Sequence, residues 1–438
     1  MSINIRKLAL DTLSGCETAA QYANLALDAK IRKFSLTGDD RAFFTVLVYG
    51  TIEHKITLDY YIRSLSSIPL EKIDVQTRNL LRLGLYQLLC LRTPAHAAVN
   101  ETVALAPMRS RGFVNAILRA FLRQKDTLAL PDPAKDFAFA LSVRYSFPQE
   151  TCEKLCQCYG REEAEHILAA MNVPPAMTLR VNTLRTTRKA LTDKLTRAGI
   201  AVKSTALAPF GLRLSEAVPY DALLQLCPGE FFVQDEASQL AVAALGAQPG
   251  ETIMDVCSCP GSKAFGAAMD MQNSGQILAF DISKSKLPLI RTGAEVLGIH
   301  IITADNHDGR VFLPEWEGKM DRILCDVPCS GLGVAAKKPD IRYKSLADAM
   351  ALPAIQYEIL CTAARYLKRG GTLIYSTCTI LPEENEENIR RFLSEHREFT
   401  TAPLSIGDTL YESGFITLLP HRQGTDGFFI CRLHRKEG

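Results

Sequence analysis

The sequence contains no long apolar run. No stretch of about 18 apolar residues occurs, the length at which a membrane-spanning helix is suspected, so a membrane span is not expected. The first residues, from Met1 through Ile5, Arg6, Lys7 and Leu8 to Gly15, lack the apolar core of an export signal. Thirteen cysteines among 438 residues, without such a signal, read as reduced thiols in a cytoplasmic protein and not as a disulfide framework. The pattern G-x-G-x-x-G is also missing, which disfavours a dinucleotide cofactor. No internal repeat or low-complexity tract is present. Cys152, Cys156 and Cys158 share one expected helix without a fourth ligand at metal-site spacing, and Cys257 with Cys259 is an equally poor site, so no metal is expected. The single Trp316 and the scattered histidines carry no motif.

Hydrophobic residues at 47% and charged residues at 22% supply more than one apolar core. The net charge of +2 conceals an asymmetry: residues 1–145 hold 19 Lys/Arg against 13 Asp/Glu, leaving 31 against 35 for the rest. A basic N-terminal part on a slightly acidic body is compatible with a nucleic-acid partner. Within 101–125, Arg109, Arg111, Arg119, Arg123 and Lys125 meet one acid, Glu101. That is a candidate phosphate-contacting face, although a solvated helix face reads equally well from charge alone.

Residues 1–130 read as one all-helical domain. Phe43, Phe44, Leu47 and Val48 share a helical face; Leu80, Leu81, Leu83, Leu85, Leu88 and Leu89 predict a helix buried on most sides; Asn115, Ile117, Leu118, Phe121 and Leu122 continue the pattern. Pro131, Pro133 and several Asp mark a linker over 126–136. A small α+β module is expected over 137–230: a strand at Thr178–Val181, a helix carrying Leu191, Leu195 and Ala198 and stopped by Gly199, then strands near 201–203 and 212–214. Over 231–436, short apolar runs alternate with helical stretches, the texture of a doubly wound α/β domain. The runs are 252–256, 276–280, 300–303, 322–325 and 372–376.

Open parallel sheets bind ligands beyond the carboxyl ends of their strands. The first of these runs leads into Asp255-Val256-Cys257-Ser258-Cys259-Pro260-Gly261-Ser262-Lys263. A Pro-Gly turn entering a helix lets backbone approach a ligand, and the helix start offers free N–H groups. The second run ends in Asp281, an acid about 20 residues beyond the glycine turn, where a ribose hydroxyl partner is expected. These features fit a nucleoside-bearing cofactor without a pyrophosphate. The fourth run ends in Asp326-Val327-Pro328-Cys329-Ser330-Gly331 and the fifth in Ser376-Thr377-Cys378. Two cysteines are thereby predicted at one sheet edge, on adjacent strands. A single buried cysteine is most often a small core hydrophobe. Two at ligand-side strand ends, each beside polar groups, point instead to thiol chemistry.

These residues resemble the RNA cytosine-5 methyltransferases of the Sun/Nop2 family, and within it the bacterial ribosomal RNA enzymes with a fused NusB-like domain. The carrying motifs are Val233-Gln234-Asp235-Glu236-Ala237-Ser238-Gln239, Cys257 to Lys263, Asp308-Gly309-Arg310, Asp326 to Gly331, Lys338-Pro339-Asp340, Tyr375-Ser376-Thr377-Cys378, Leu381-Pro382-Glu383-Glu384-Asn385-Glu386 and Gly424-Thr425-Asp426-Gly427-Phe428-Phe429. Leu47-Val48-Tyr49-Gly50, Arg82 to Leu88, Val99-Asn100-Glu101 and Gly112 to Ala116 are similar to the NusB-like part. The likeness covers nearly the whole chain in the family's order.

The resemblance implies a Rossmann-like class I methyltransferase domain behind an RNA-binding NusB-like domain, S-adenosylmethionine as cofactor, and RNA, with small-subunit ribosomal RNA ahead of tRNA, as partner of a monomer. It implies Cys378 as nucleophile on cytosine C6, Cys329 as the residue assisting release, Asp326 on the base, and Lys263 lining the same pocket. Cofactor contacts would come from Cys257, Ser258, Cys259, Pro260, Gly261, Ser262 and Lys263, with Asp281 at ribose, Asp308 near adenine and Asp326 beside them; Asp305 competes with Asp308. The family's usual loop reads Cys-Ala-Ala-Pro-Gly-Gly-Lys-Thr. Here Ser258 and Cys259 replace the alanines, Ser262 the second glycine and Ala264 the threonine. Ser262 would weaken cofactor binding if that position needs positive φ. A pure RNA-binding protein would have no reason to carry Cys329 and Cys378 at two strand ends. An amine or DNA methyltransferase is disfavoured by the same pair.

Overall fold

The computed structural model describes residues 3–19 and 21–437. The chain divides into two compact units, Met1–Val173 with Ala335–Lys344, and Pro174–Val334 with Ser345–Gly438. The first unit is helical from Ile5–Ala19 through Met108–Gln124, and again, after the turns of the linker, over Phe137–Tyr145, Gln149–Tyr159 and Arg161–Ala170. Its central helix, Val75–Leu89, starts where the Asp74 carboxylate accepts the Thr77 N–H. Leu80, Leu81, Leu83 and Leu85 of this helix pack with Phe44, Leu47, Val48, Val114, Ile117, Leu118 and Phe121. The last turn leaves the core: Leu88 is half-buried and Leu89 exposed. The expected burial therefore stops one turn early.

The segment 137–230 is shared between the units: its first three helices belong to the first, and its strands with the helices Arg188–Arg197 and Tyr220–Leu226 to the second. Those strands, β1 (Thr178–Val181), β2 (Val202–Ser204) and β3 (Gly211–Leu214), join β4 (Phe231–Val233) in an antiparallel sheet of order β2-β3-β1-β4. β4 lies beyond the expected boundary because Phe231 pairs back on Val181 and completes that sheet's core with Leu179, Leu191, Leu195 and Leu212.

The second sheet is built on β5 (Thr252–Asp255), β6 (Gln276–Asp281), β7 (Ile302–Asn306), β8 (Met320–Asp326) and β9 (Leu367–Thr377), all parallel in the order β9-β8-β5-β6-β7. Helices cover both faces, so the middle stretches of the central strands are apolar on both sides instead of alternating. Ile253, Ile277, Leu324 and Ile374 enter one core, while their neighbours Met254, Leu278, Ile323 and Leu373 enter the other. β7 starts two residues later than the expected run, since the parallel register begins at Ile277↔Ile302. Past β12 (Thr409–Tyr411), which pairs with β11 (Leu404–Ile406), the sheet ends in antiparallel strands that the periodicity did not mark: β13 (Phe415–Leu418) and β14 (Phe428–Arg435), the latter pairing with β9, and also β10 (Phe399–Thr401). The strand order reverses at β5 and β8, the switch point where open α/β sheets bind ligands. No helix among the described residues is long and apolar enough to cross a membrane.

Candidate active site

The site forms where β5, β8 and β9 end side by side. From Asp255 the chain turns through 256–261 into the helix Ser262–Asp270. The turn is pinned by backbone bonds, Val256 N–H to Leu324 (3.1 Å), Ser258 N–H to Phe280 (2.7 Å) and Gly261 N–H to Ser258 (2.6 Å). Gly261 takes the left-handed φ of +103°, and a Cβ there would lie 2.7 Å from the Phe265 ring. Ser262, by contrast, is the first helical residue and is not among those with positive φ. The strain that its Cβ would have caused does not arise, because the glycine requirement falls one residue earlier.

One helical position on, Lys263 is buried, and its ammonium donates to Asp326 Oδ2 at 2.6 Å while lying 5.4 Å from the Phe428 ring centre. The pairing of β8 with β9 sets Asp326 opposite Ser376, whose hydroxyl donates to Asp326 Oδ1 at 2.6 Å. Both oxygens of Asp326 are therefore held from neighbouring elements. Just past the same strand ends, Cys329 and Cys378 stand with their sulfurs 3.1 Å apart. The contact with Cys378, then burial, then the charges of Glu384 and Asp326 push the Cys329 thiol far above its usual range.

Four carboxylates surround the loop. The Cys257 thiol is held up by burial and by Asp255, Asp326, Asp281 and Asp308 acting together. Asp281 accepts the N–H of Cys259 (3.2 Å) and of Ser283 (2.8 Å), and Asn306 Nδ2 ties down the Asp281 carbonyl at 2.8 Å. Asp308 is half-buried and forked by Arg310 (2.7 and 3.0 Å). Asp305 is exposed and caps the adjacent Asn306 N–H. Burial pushes the Asp255 carboxyl up to about 7. Both of its oxygens and the Ser258 hydroxyl are buried without a hydrogen-bond partner among the described residues. Asp255 and Ser376 were not picked out as site residues from the sequence, although each stands at the carboxyl end of a strand, the signal that found Asp281 and Asp326.

The residues chosen from the sequence gather at one sheet edge: Lys263 in contact with Asp326, Cys329 in contact with Cys378, and the 257–263 loop with Asp281 and Asp308 beside them. Two thiols in contact beside a carboxylate held by a buried ammonium suit covalent chemistry on a base.

The family model described as 16S rRNA methyltransferase RsmB/F matches residues 242–434, that of the NusB family residues 3–123, and that of the RsmF/B-like ferredoxin-like domain residues 147–221. A probable ribosomal RNA small subunit methyltransferase B of Bacillus subtilis (strain 168) is 37% identical over 448 residues, covering 99% of each chain. The crystal structure of PH0851 superposes with a TM-score of 0.81 at 27% identity over 99% of this chain and 100% of that one. A methyltransferase homologue protein from Pyrococcus horikoshii gives 0.61 at 28% identity, over 69% of this chain and 99% of that one. On the strength of the near full-length identity, this chain belongs to the RsmB/F family of 16S rRNA methyltransferases.

Proposed function

We propose that the protein methylates C5 of a cytosine in small-subunit ribosomal RNA, using S-adenosylmethionine and a transient bond from Cys378 to C6 of the base. The observation that carries this reading is the pair of thiols 3.1 Å apart beside the Lys263–Asp326–Ser376 cluster. The relatives' printed names supply the RNA.

Cytosine C5 is too weak a nucleophile to take a methyl group unaided. Addition of the Cys378 thiolate to C6 makes C5 enamine-like. Asp326, fixed by Lys263 and Ser376, holds the base at N3/N4, and the Lys263 ammonium beside it offsets the negative charge that develops on the ring. The cofactor, when bound, supplies an electrophilic methyl on a sulfonium. Its positive charge fits the acid set around Cys257, and the unpartnered oxygens of Asp255 and hydroxyl of Ser258 give its polar groups partners inside the 257–263 loop. Asp281 and Asp308 would take the ribose and the adenine side. After transfer the C5 proton is lost to water and the C6–sulfur bond breaks, its electron pair returning to Cys378 as thiolate; Cys329, 3.1 Å from Cys378, assists this release. The base must leave any stack to be reached this way, so the target is a flipped or single-stranded nucleotide. In the helical part, the residues that would meet the RNA backbone are the exposed Arg109, Arg119 and Arg123, which lie on one face of the helix Met108–Gln124 with Gly112 and Ala116.

The test is transfer of labelled methyl to total RNA lacking the modification, followed by nucleoside analysis and mapping. Label in 5-methylcytidine of small-subunit ribosomal RNA is expected. Label confined to tRNA or to another nucleoside overturns the assignment. Cys378→Ala should abolish both methylation and protein–RNA adduct, whereas Cys329→Ala should accumulate adduct. Normal methylation by both variants would remove the two-thiol mechanism.

A further inference from the structure

The segment Leu381-Pro382-Glu383-Glu384-Asn385-Glu386 has no task in the chemistry above, yet Glu384 and Asn385 are buried to 1% and 0% exposure. Asn385 spans Cys378: its Oδ1 accepts the Thr377 hydroxyl at 2.6 Å and its Nδ2 donates to the Thr379 carbonyl at 3.1 Å. Glu384 does the equivalent at Cys329 with Gln356. Its Oε2 accepts the Ser330 N–H at 2.9 Å and Gln356 Nε2 at 2.7 Å, and the same Nε2 donates to the Pro328 carbonyl at 3.0 Å. Peptide groups on both sides of Cys329 are thereby tied to one buried carboxylate–amide pair.

Gln356 is itself oriented, since its Oε1 accepts from Asn388 Nδ2 (3.2 Å) and the Tyr375 hydroxyl (3.4 Å). That hydroxyl also donates to the Glu384 carbonyl at 2.6 Å. The two cysteine turns are joined to each other by Ser330 Oγ donating to Thr379 Oγ1 at 2.8 Å. A buried carboxylate is costly, and apolar side chains of similar volume would stabilise such a spot at least as well. What the polar network adds is direction: it fixes the backbone on both sides of each sulfur.

We propose that Glu384 and Asn385, acting with Gln356, are positioning residues that hold Cys329 and Cys378 in their reactive arrangement, one residue flanking each thiol. This rests on the reading above that both thiols act in one catalytic cycle. It assigns a task to a segment otherwise unused by the mechanism.

The experiment measures how fast the two thiols close into a disulfide under diamide, followed by mass spectrometry on the full-length protein without RNA or cofactor. Closure rate reports thiol geometry whatever the substrate is. Glu384→Ala, Asn385→Ala and Thr377→Val are compared with the wild type; Thr377→Val keeps the side-chain shape and removes only the hydroxyl that Asn385 accepts. All three should slow closure by about tenfold or more, since a misplacement near 1 Å costs up to about 100-fold in reaction rate. Glu384→Gln, which keeps the acceptor, should restore closure to within about threefold. In methyl transfer the three slow variants should lower kcat and leave KM for RNA and the affinity for S-adenosylmethionine unchanged. Wild-type closure in Asn385→Ala and Thr377→Val overturns the proposal, as does Glu384→Gln closing as slowly as Glu384→Ala. Should Glu384→Ala fail to fold, Thr377→Val decides. A wild type that shows the closure pattern but never methylates RNA overturns the proposed reaction and leaves the positioning role intact.

Discussion

Asp255 is a carboxyl group that the fold buries to 1% exposure, with the charge of Asp326 raising it further. Its folded pKa, about 7, stands above the ordinary 3.8, so folding favours the protonated form. The cost of this group to stability is therefore absent near the ordinary value, grows as pH rises through the interval, and is full above about pH 7. Asp255→Asn removes the titration. The variant without ligand should be more stable than the wild type by a few kcal/mol near about pH 8, with the gain fading towards about pH 4. Thermal midpoints of both proteins across that range check it; a gain independent of pH would show that the carboxyl does not titrate there. The same substitution should weaken S-adenosylmethionine binding, measured directly by calorimetry. At this scale the nucleophile candidates were legible in advance, because Thr377-Cys378 and Pro328-Cys329 are local motifs. The state of Asp255 was not, because it depends on how many distant groups exclude water from it.

Among the elements, the turn Leu332–Val334 shows how a strand end is locked to the loop before β14. The Gly333 N–H donates to the Cys378 carbonyl at 3.0 Å, and its own carbonyl accepts the Gly427 N–H at 2.9 Å. A Cβ on Gly333 would sit 1.8 Å from the Gly427 carbonyl oxygen, with no flexible side chain to move away. Gly333→Ala should destabilise the second unit by about 1–3 kcal/mol and displace Cys378. Denaturant unfolding and methyl-transfer rate would report it, and wild-type values for both would refute the contact. The sequence motif ended at Gly331, and Gly333 gave no local sign of its partner 94 residues on. The helix Met108–Gln124 carries the second element-scale prediction. Exchanging Arg109, Arg119 and Arg123 for Glu should weaken RNA binding and make the slope of log K against log salt shallower by about 2 to 3, as three lost phosphate contacts require. An unchanged slope would mean that this face is only solvated, the alternative that charge counting left open.

For the whole molecule, the notable feature is the excursion of residues 335–344. The chain leaves the second unit just after Cys329 and contributes a short stretch to the first. Arg342 is buried there, bound to Glu53 Oε1 (2.9 Å), Asn172 Oδ1 (2.7 Å) and the Met171 carbonyl (2.8 Å), with its guanidinium 4.6 Å from the Phe147 ring centre. The Tyr343 hydroxyl donates to the Ile52 carbonyl at 2.6 Å. Arg342→Met, which keeps the apolar stem, should cost the first unit about 3–5 kcal/mol, since it leaves Glu53 and two further acceptors without their donor. Hydrogen exchange in 335–344 and in the helix Gly38–Glu53 would reveal it, and unchanged protection would show the pair to be dispensable.

The sequence by itself determined the fold class and the family, and it pointed to Lys263, Asp326, Cys329 and Cys378, which the fold gathers at one sheet edge. These rest on local information: apolar period, turn residues and short motifs at strand ends. The tertiary structure alone decided which strands become neighbours, that Phe231–Val233 closes the small sheet, that β14 runs antiparallel beside β9, and that Glu384, Asn385 and Gln356 converge on the cysteines. The reason is physical. Period and propensity describe a residue's own neighbours in the chain, whereas strand pairing, desolvation and buried hydrogen bonds are settled by groups tens to hundreds of positions away.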